Sequence, residues 1–511
     1  METFRLGLPA LLVIAGYLTA INALGAWIGR RQKDARDYFL GNHSMPWWAV
    51  LGSIVATETS ALTFLSIPGD AYRTGFAFLQ LVLGYIVGRA AIAALLLPAY
   101  FQGEIPTAYA LLERRFGPSA RRATSLLFMV TRVLAAAVRL AVPAIPIALI
   151  LGIPIWAAVI LLAAATALYT LLGGIRAVIW IDLIQVFIYL SGAILALAFL
   201  LAALPGGWSG ALAARAAAGQ ATPLLDFRLD FSLPYTFWSG LLGGAFLSMA
   251  SHGADQLIVQ RLLACRNLSD ARKALVGSGF LVLVQMSLFL AIGTLLFAFF
   301  HGRPISGGVA GAFRSPDDVF PTFIVRHLPS WASAYLVAGV FSAAMCSESS
   351  ALNSLASALA HDVVGPIRGK AALEGERGLA LGRWLTLLWS VLLAALAVGF
   401  SLLRGNQPAV QVALGLASVT AGGLLGAFLL ALYAARARES DLLWAVSASV
   451  AFMMALWLGS KGWLPFALGR KIAWPWYSLI GSALTLSGGW LLSLRHGPGD
   501  SAAGRSTAAP Q

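Results

Sequence analysis

The chain has 511 residues, 59% hydrophobic and 11% charged, with a formal net charge of +14 and a mean hydropathy of +0.81. A soluble domain carries roughly a quarter charged residues, so this composition excludes that class and points to a protein that crosses a membrane many times. The positive charge does not indicate nucleic acid, because most basic residues lie in short connections on one side of the apolar segments, the positive-inside bias.

In chain order, the first apolar segment spans 7–28. Before it stands Arg5 alone, no small-x-small cleavage site follows, and "RRQKDAR" (30–36) comes next, so it reads as a retained helix. Twelve further spans are expected at 46–66, 74–100, 120–150, 153–172, 175–204, 236–262, 274–300, 330–361, 381–403, 408–434, 442–460 and 474–495. Thirteen crossings put the N-terminus outside and the disordered tail from Arg495, "RHGPGDSAAGRSTAAPQ", in the cytoplasm of a plasma (inner) membrane. The basic connections "ERRFGPSARR" (113–122), "RNLSDARK" (266–273) and "RGKAALEGER" (368–377) share the cytoplasmic side. Two longer loops, 205–235 and 301–329, are expected to fold over the outer face. The 52 glycines and the absence of alternating ten-residue segments argue against a β-barrel. Cys265 and Cys346 fall at the cytoplasmic edge or within the membrane, where no disulfide is expected, and neither has a companion at metal-ligand spacing. No phosphate-binding loop, HExxH or nucleophile elbow is present, so neither an ATP-driven pump nor an enzyme is expected.

Ionisable residues inside spans are costly unless they face a cavity or a partner. They are Glu58, Arg89, Arg132, Arg139, Asp182, Asp255 and Glu348, with His252 nearby. Glu58 lies in "GSIVATETSALTFLSIPGDAYRTG" (52–75), whose threonines, serines and Pro68 suit an interrupted helix that frees carbonyls for a cation. The alternative is a helix end near the outer interface. A second polar stretch, "FSAAMCSESSALNS" (341–354), places Ala343, Cys346, Ser347 and Ser350 on one helical face, while Glu348 projects about 100° from Ser347. Such small residues equally suit close helix packing.

Three stretches in order resemble the sodium/solute symporter family. "YTLLGGIRAVIWIDLIQ" (169–185) resembles its Tyr-Thr-x-x-Gly-Gly-x-x-Ala-Val-x-Trp-Thr-Asp-x-x-Gln motif. "HGADQLIVQRLLA" (252–264) is similar to Asp-Gln-x-x-Val-Gln-Arg, and "AAMCSESSALNS" (343–354) to Ala-Ala-x-Ser-Ser-x-x-Ser-x-Leu-Asn-Ser. The resemblance implies an all-α membrane protein with a leucine-transporter-type core of five helices repeated in inverted topology. The repeats would be 46–204 and 236–434, preceded by an extra helix and loop (1–45), separated by the outer loop 205–235, and followed by two helices (435–495) and a tail (496–511).

Carried over by motif, the implied sodium ligands are the carbonyls of Ala56, Thr59 and Ala343 and the side chains at Cys346 and Ser347. Asp182 would line the ion's cytoplasmic approach. Sodium is a hard cation that prefers oxygen, so the thiol of Cys346, where the family has serine, is a departure. Glu348 or Glu58 could compensate through a helix bend, or could couple transport to protons instead. For the solute, the resemblance and the residue types suggest Glu58, Thr63, Arg132, Arg139 and Asp255. Two guanidiniums seven residues apart on one face suit a carboxylate, unless they serve to neutralise Glu58 or Asp182. The expected function is sodium-coupled symport of a small organic solute, an organic anion such as a monocarboxylate before a sugar. No cofactor beyond the sodium ion, no nucleic acid and no obligate protein partner are expected. The rivals are a proton-coupled symporter and a non-transporting solute sensor.

Overall fold

A bilayer core offers no water to backbone N–H and C=O groups, so each segment must satisfy them internally, and helices do so. The computed structural model describes residues 8–30, 32–103, 105–220, 224–306, 312–402, 409–460, 462 and 471–496. Among these there is no β-strand. The longer helices are α1 (Leu8–Gly29), α2 (Trp47–Glu58), α3 (Ala61–Thr74), α4 (Leu79–Leu95), α5 (Pro118–Leu151), α6 (Ile155–Ala203) and α7 (Gly207–Ala217). After an irregular helical stretch over 239–254 come α8 (Gln256–Leu263), α9 (Leu268–Phe299), α10 (Ser330–Ala358), α11 (Gly375–Leu402), α12 (Ala409–Tyr433), α13 (Glu439–Ser460) and α14 (Trp476–Ser493). By length and composition, seven described helices could cross a membrane alone, and the bent pair α2–α3 makes an eighth.

Breaks in the helices position the site. Between α2 and α3, Thr59 leaves helical geometry (φ −88°, ψ 85°), Ser60 is extended, and the axis turns by 62°. The interrupted-helix expectation therefore holds, and the segment runs on to Thr74 rather than ending near 66. A second break falls at Asp255 (φ −97°, ψ 121°), just after the π-helical turn Ala250–Ala254. Asp255 caps α8, its carboxylate accepting from the Leu257 N–H at 2.9 Å. A third lies inside α6, whose 49 residues would span about 73 Å if straight, far more than a bilayer. Gly174 breaks it (φ 52°, ψ −159°), and a Cβ there would meet the Tyr38 carbonyl at 2.5 Å. The expected spans 153–172 and 175–204 thus meet without a loop.

Two stretches expected as connections are helical. Asn267 caps α9 by accepting from the Asp270 N–H at 2.9 Å, so 268–273 of "RNLSDARK" forms its first turns. The outer loop 205–235 contains α7. The Asn267 cap that turns "RNLSDARK" into a helix start was overlooked, whereas α7 starts after Gly206 with no side-chain cap to signal it.

Packing relies on small residues, since lipid removes the hydrophobic drive between helices. Gly84 of α4 packs against Gly240 and Gly244, and Gly88, one turn on, against Ala245 and Ser248. A Cβ at Gly88 would lie 2.3 Å from the Ala245 carbonyl. Gly88→Leu is therefore expected to lower stability by roughly 1–3 kcal/mol or to prevent assembly, as overpacking does. Gly399→Ala, with nothing within 4 Å, should leave the melting temperature unchanged. Thermal unfolding in detergent compares the two.

Candidate functional site

At the first break Ser60 gives its N–H to Glu58 (3.2 Å) instead of to Ala56, so the Ala56 carbonyl loses its helical donor. The Cys346 thiol of α10 takes that place, donating to Ala56 O at 3.0 Å. The same sulfur lies 3.3 Å from Ala343 O and 3.9 Å from Thr59 O. Four of the five positions expected to hold a cation therefore surround one point, all fully buried, and Ser347 follows Cys346 on the helix at 5% exposure. Thr59 is steadied by Gln285, whose amide donates to its hydroxyl and whose carbonyl accepts from Tyr189 at 3.3 Å. Helix α10 is unbroken through 343–348. Glu348 thus stays off the Cys346 face, so no bend lets it compensate for the thiol. It is buried, and its Oε1 has no hydrogen-bond partner among the described residues.

A buried ionic cluster lies one turn away. Asp182 accepts from Ser53 at 2.6 Å and pairs with Arg261 at 3.2 Å, all three side chains fully buried. Arg261 also donates to Ser53 at 2.9 Å, to the Leu257 carbonyl at 2.7 Å and to Ser350. Ser350 in turn meets Thr57 at 2.9 Å. Asp182 Oδ1 has no partner among the described residues. Arg261 and Ser53 were missed as site residues: Arg261 stood in the quoted motif, at the end of the expected span 236–262, and was not counted among the charges inside it.

Glu58 pairs with Arg89, and its other neighbour is His252 at 3.7 Å. Arg89 also donates to Ser278 at 2.7 Å. Glu58 therefore has its own counter-charge and is not free to compensate for Cys346. Arg132 pairs with Asp255. The idea that Arg132 and Arg139 neutralise Glu58 or Asp182 fails, because those carboxylates are taken by Arg89 and Arg261. Arg139 forms no ion pair among the described residues, yet it lies within electrostatic reach of Arg132, Asp255, Glu58 and Cys346. Leu62 beside Thr63 packs on Val138 beside Arg139, which brings α3 and α5 together here. Glu58, Thr63, Arg132, Arg139 and Asp255 all keep partial accessibility amid buried neighbours. Counted with Arg89, three guanidiniums face two carboxylates, leaving one positive charge unmatched.

The model of the sodium:solute symporter family matches residues 38–448. The chain belongs to the sodium:solute symporter family. It is 28% identical over 470 residues to a sodium/sialic acid symporter of Proteus mirabilis, covering 90% of this chain and 92% of that one. To the human sodium/iodide cotransporter it is 27% identical over 468 residues, 89% and 70% of the two chains. Among solved structures, a substrate-bound, outward-open sodium-coupled sialic acid symporter superposes with a TM-score of 0.83 at 26% identity, covering 96% of this chain and 99% of that one. The nucleobase-cation symporter Mhp1 shares the fold, with a TM-score of 0.57 at 12% identity over 90% and 93% of the chains. As a sodium:solute symporter family member this is a multi-pass membrane transport protein whose partners are sodium and a small solute.

Proposed function

We propose that the chain performs sodium-driven symport of a small organic anion by alternating access, through thirteen crossings built on an inverted five-plus-five repeat (46–204 and 236–434). In this reading the N-terminus lies outside and the tail in the cytoplasm. Sodium binds among the carbonyls of Ala56, Thr59 and Ala343 with Cys346 and Ser347 completing the shell, and Asp182 marks its way to the cytoplasm. The observation that carries the ion site is the Cys346 sulfur, which sits among those same three carbonyls. Freed carbonyls at a helix break are acceptors that a cation can take over.

For the solute, the unmatched guanidinium of Arg139 is the carrying observation. A site with one excess positive charge favours a monoanion, and guanidinium suits a carboxylate's two oxygens. Relatives named for sialic acid, iodide and monocarboxylates carry solutes that are anionic at neutral pH. Thr63 offers a hydroxyl on α3, which packs on α5 next to Arg139, while Glu58 and Asp255, each already paired, hold the walls. Uptake of radiolabelled monocarboxylates and acidic sugars into proteoliposomes tests the reading, with a neutral sugar as control. Uptake of the neutral sugar alone would reject the anion assignment.

Ser347→Ala is expected to raise the sodium concentration for half-maximal uptake by about tenfold, the worth of one lost ligand hydrogen-bond-class contact of ~1.4 kcal/mol. An unchanged sodium dependence removes Ser347 from the shell. A proton-driven version of the cycle rests on the unpaired carboxyl of Glu348. Its mark would be uptake that follows a pH gradient in the absence of sodium and is lost in Glu348→Gln.

A further inference from the structure

Away from the ion and solute site, an open cavity of about 450 Å³ lies where the approach to α2 meets α6 and the turn between α8 and α9. One wall is polar. Arg176 is fixed there, donating to the Gly41 carbonyl and to the Ser44 hydroxyl at 3.2 Å, with Asp37 at 3.3 Å. Arg266 also lines the cavity, exposed and without an ion pair among the described residues. The lining is also aromatic: Trp48 and Trp180 stand edge to face at 5.3 Å, and Trp48 is 46% exposed.

Depth follows from the helices. Trp48 is the second residue of α2, and Trp180 comes six residues after the break at Gly174, about 9 Å along the axis. Tryptophans at the ends of spanning helices sit at headgroup level, where their amphipathic rings are favoured. The same end of the molecule carries residues 32–36, where Gln32 donates to the Gly173 carbonyl, and the 266–273 stretch that begins with Arg266 of the lining. A cavity at this depth lined by both guanidiniums and indoles is a poor match for a water-borne anion, which has no use for the aromatic lining. It matches the phosphodiester of an anionic lipid, charge toward the arginines and glycerol and upper acyl carbons against the tryptophans.

We propose that this cavity binds the phosphate headgroup of an anionic phospholipid from the leaflet facing the basic connections. The bound headgroup bridges the start of α2, the second half of α6 and the start of α9. It would thereby brace the helices that carry Ala56 and Asp182, and the proposal does not depend on which ion or solute the protein moves.

The test uses the full chain in nanodiscs of phosphatidylcholine, with and without phosphatidylglycerol, followed by thermal unfolding. Phosphatidylglycerol is expected to raise the melting temperature of the wild type. Because Arg266 is exposed, its variants should fold. Arg266→Gln should weaken the apparent lipid affinity about fivefold, and Arg266→Glu should abolish the response. Equal stabilisation of wild type and Arg266→Glu by phosphatidylglycerol overturns the proposal. So does reproduction of the whole shift by inorganic phosphate in pure phosphatidylcholine, which would make the site one for a soluble anion.

Discussion

Arg261→Leu is expected to destabilise the protein by about 3–5 kcal/mol, because it strands Asp182 as an uncompensated charge in a fully buried place. Ser53 and Ser350 lose a donor in the same step. The reason is desolvation: the pair is not a strong net attraction, but each half is costly alone. The double variant Arg261→Leu/Asp182→Leu should therefore recover much of the loss, since two apolar side chains leave no charge behind. Melting temperatures of the four proteins of this cycle supply the coupling. If both single variants melt with the wild type, Arg261 and Asp182 do not hold each other's charge in the interior.

Arg139→Gln is expected to act in the opposite manner, sparing stability and harming transport. No ion pair among the described residues is lost, so the melting temperature should stay near that of the wild type. The Michaelis constant for the anionic solute should rise roughly 10- to 100-fold, the worth of a hydrogen-bonded charge contact. Arg139→Lys should recover only part of this, keeping the charge without the two-pronged fork. Arg132→Gln separates the two roles, because it abandons Asp255, the cap of α8, and should lower stability as well. A solute that is carried equally well by wild type and Arg139→Gln would transfer anion recognition elsewhere.

Legibility followed the physics of each feature. Most helices were readable because bilayer-length apolar runs leave the backbone no other choice, but the expected span 236–262 is broken at Asp255. The break at Thr59–Ser60 was signalled by crowded threonines and serines around Glu58. The convergence of Ala56, Thr59, Ala343 and Cys346 came from motif resemblance, and no spacing within either helix could have shown it, as 290 positions separate Cys346 from Ala56. Pairing of charges was the weakest part. Arg89, Arg132 and Arg261 were each visible as arginines, but which carboxylate each serves depends on tertiary packing across 31, 123 and 79 positions. Gly174 shows the reverse: its motif was quoted, yet only the backbone reveals that it bends α6 by adopting a left-handed φ.

The most direct test of the central claim is the sodium dependence of solute uptake in proteoliposomes, measured for the wild type and Cys346→Ser. Uptake is predicted to require an inward sodium gradient. The serine variant, with a hard oxygen in place of the thiol among the three carbonyls, should reach half-maximal rate at lower sodium. Uptake indifferent to sodium in both proteins would contradict the account, and an unaltered sodium requirement in Cys346→Ser would place the ion away from the sulfur.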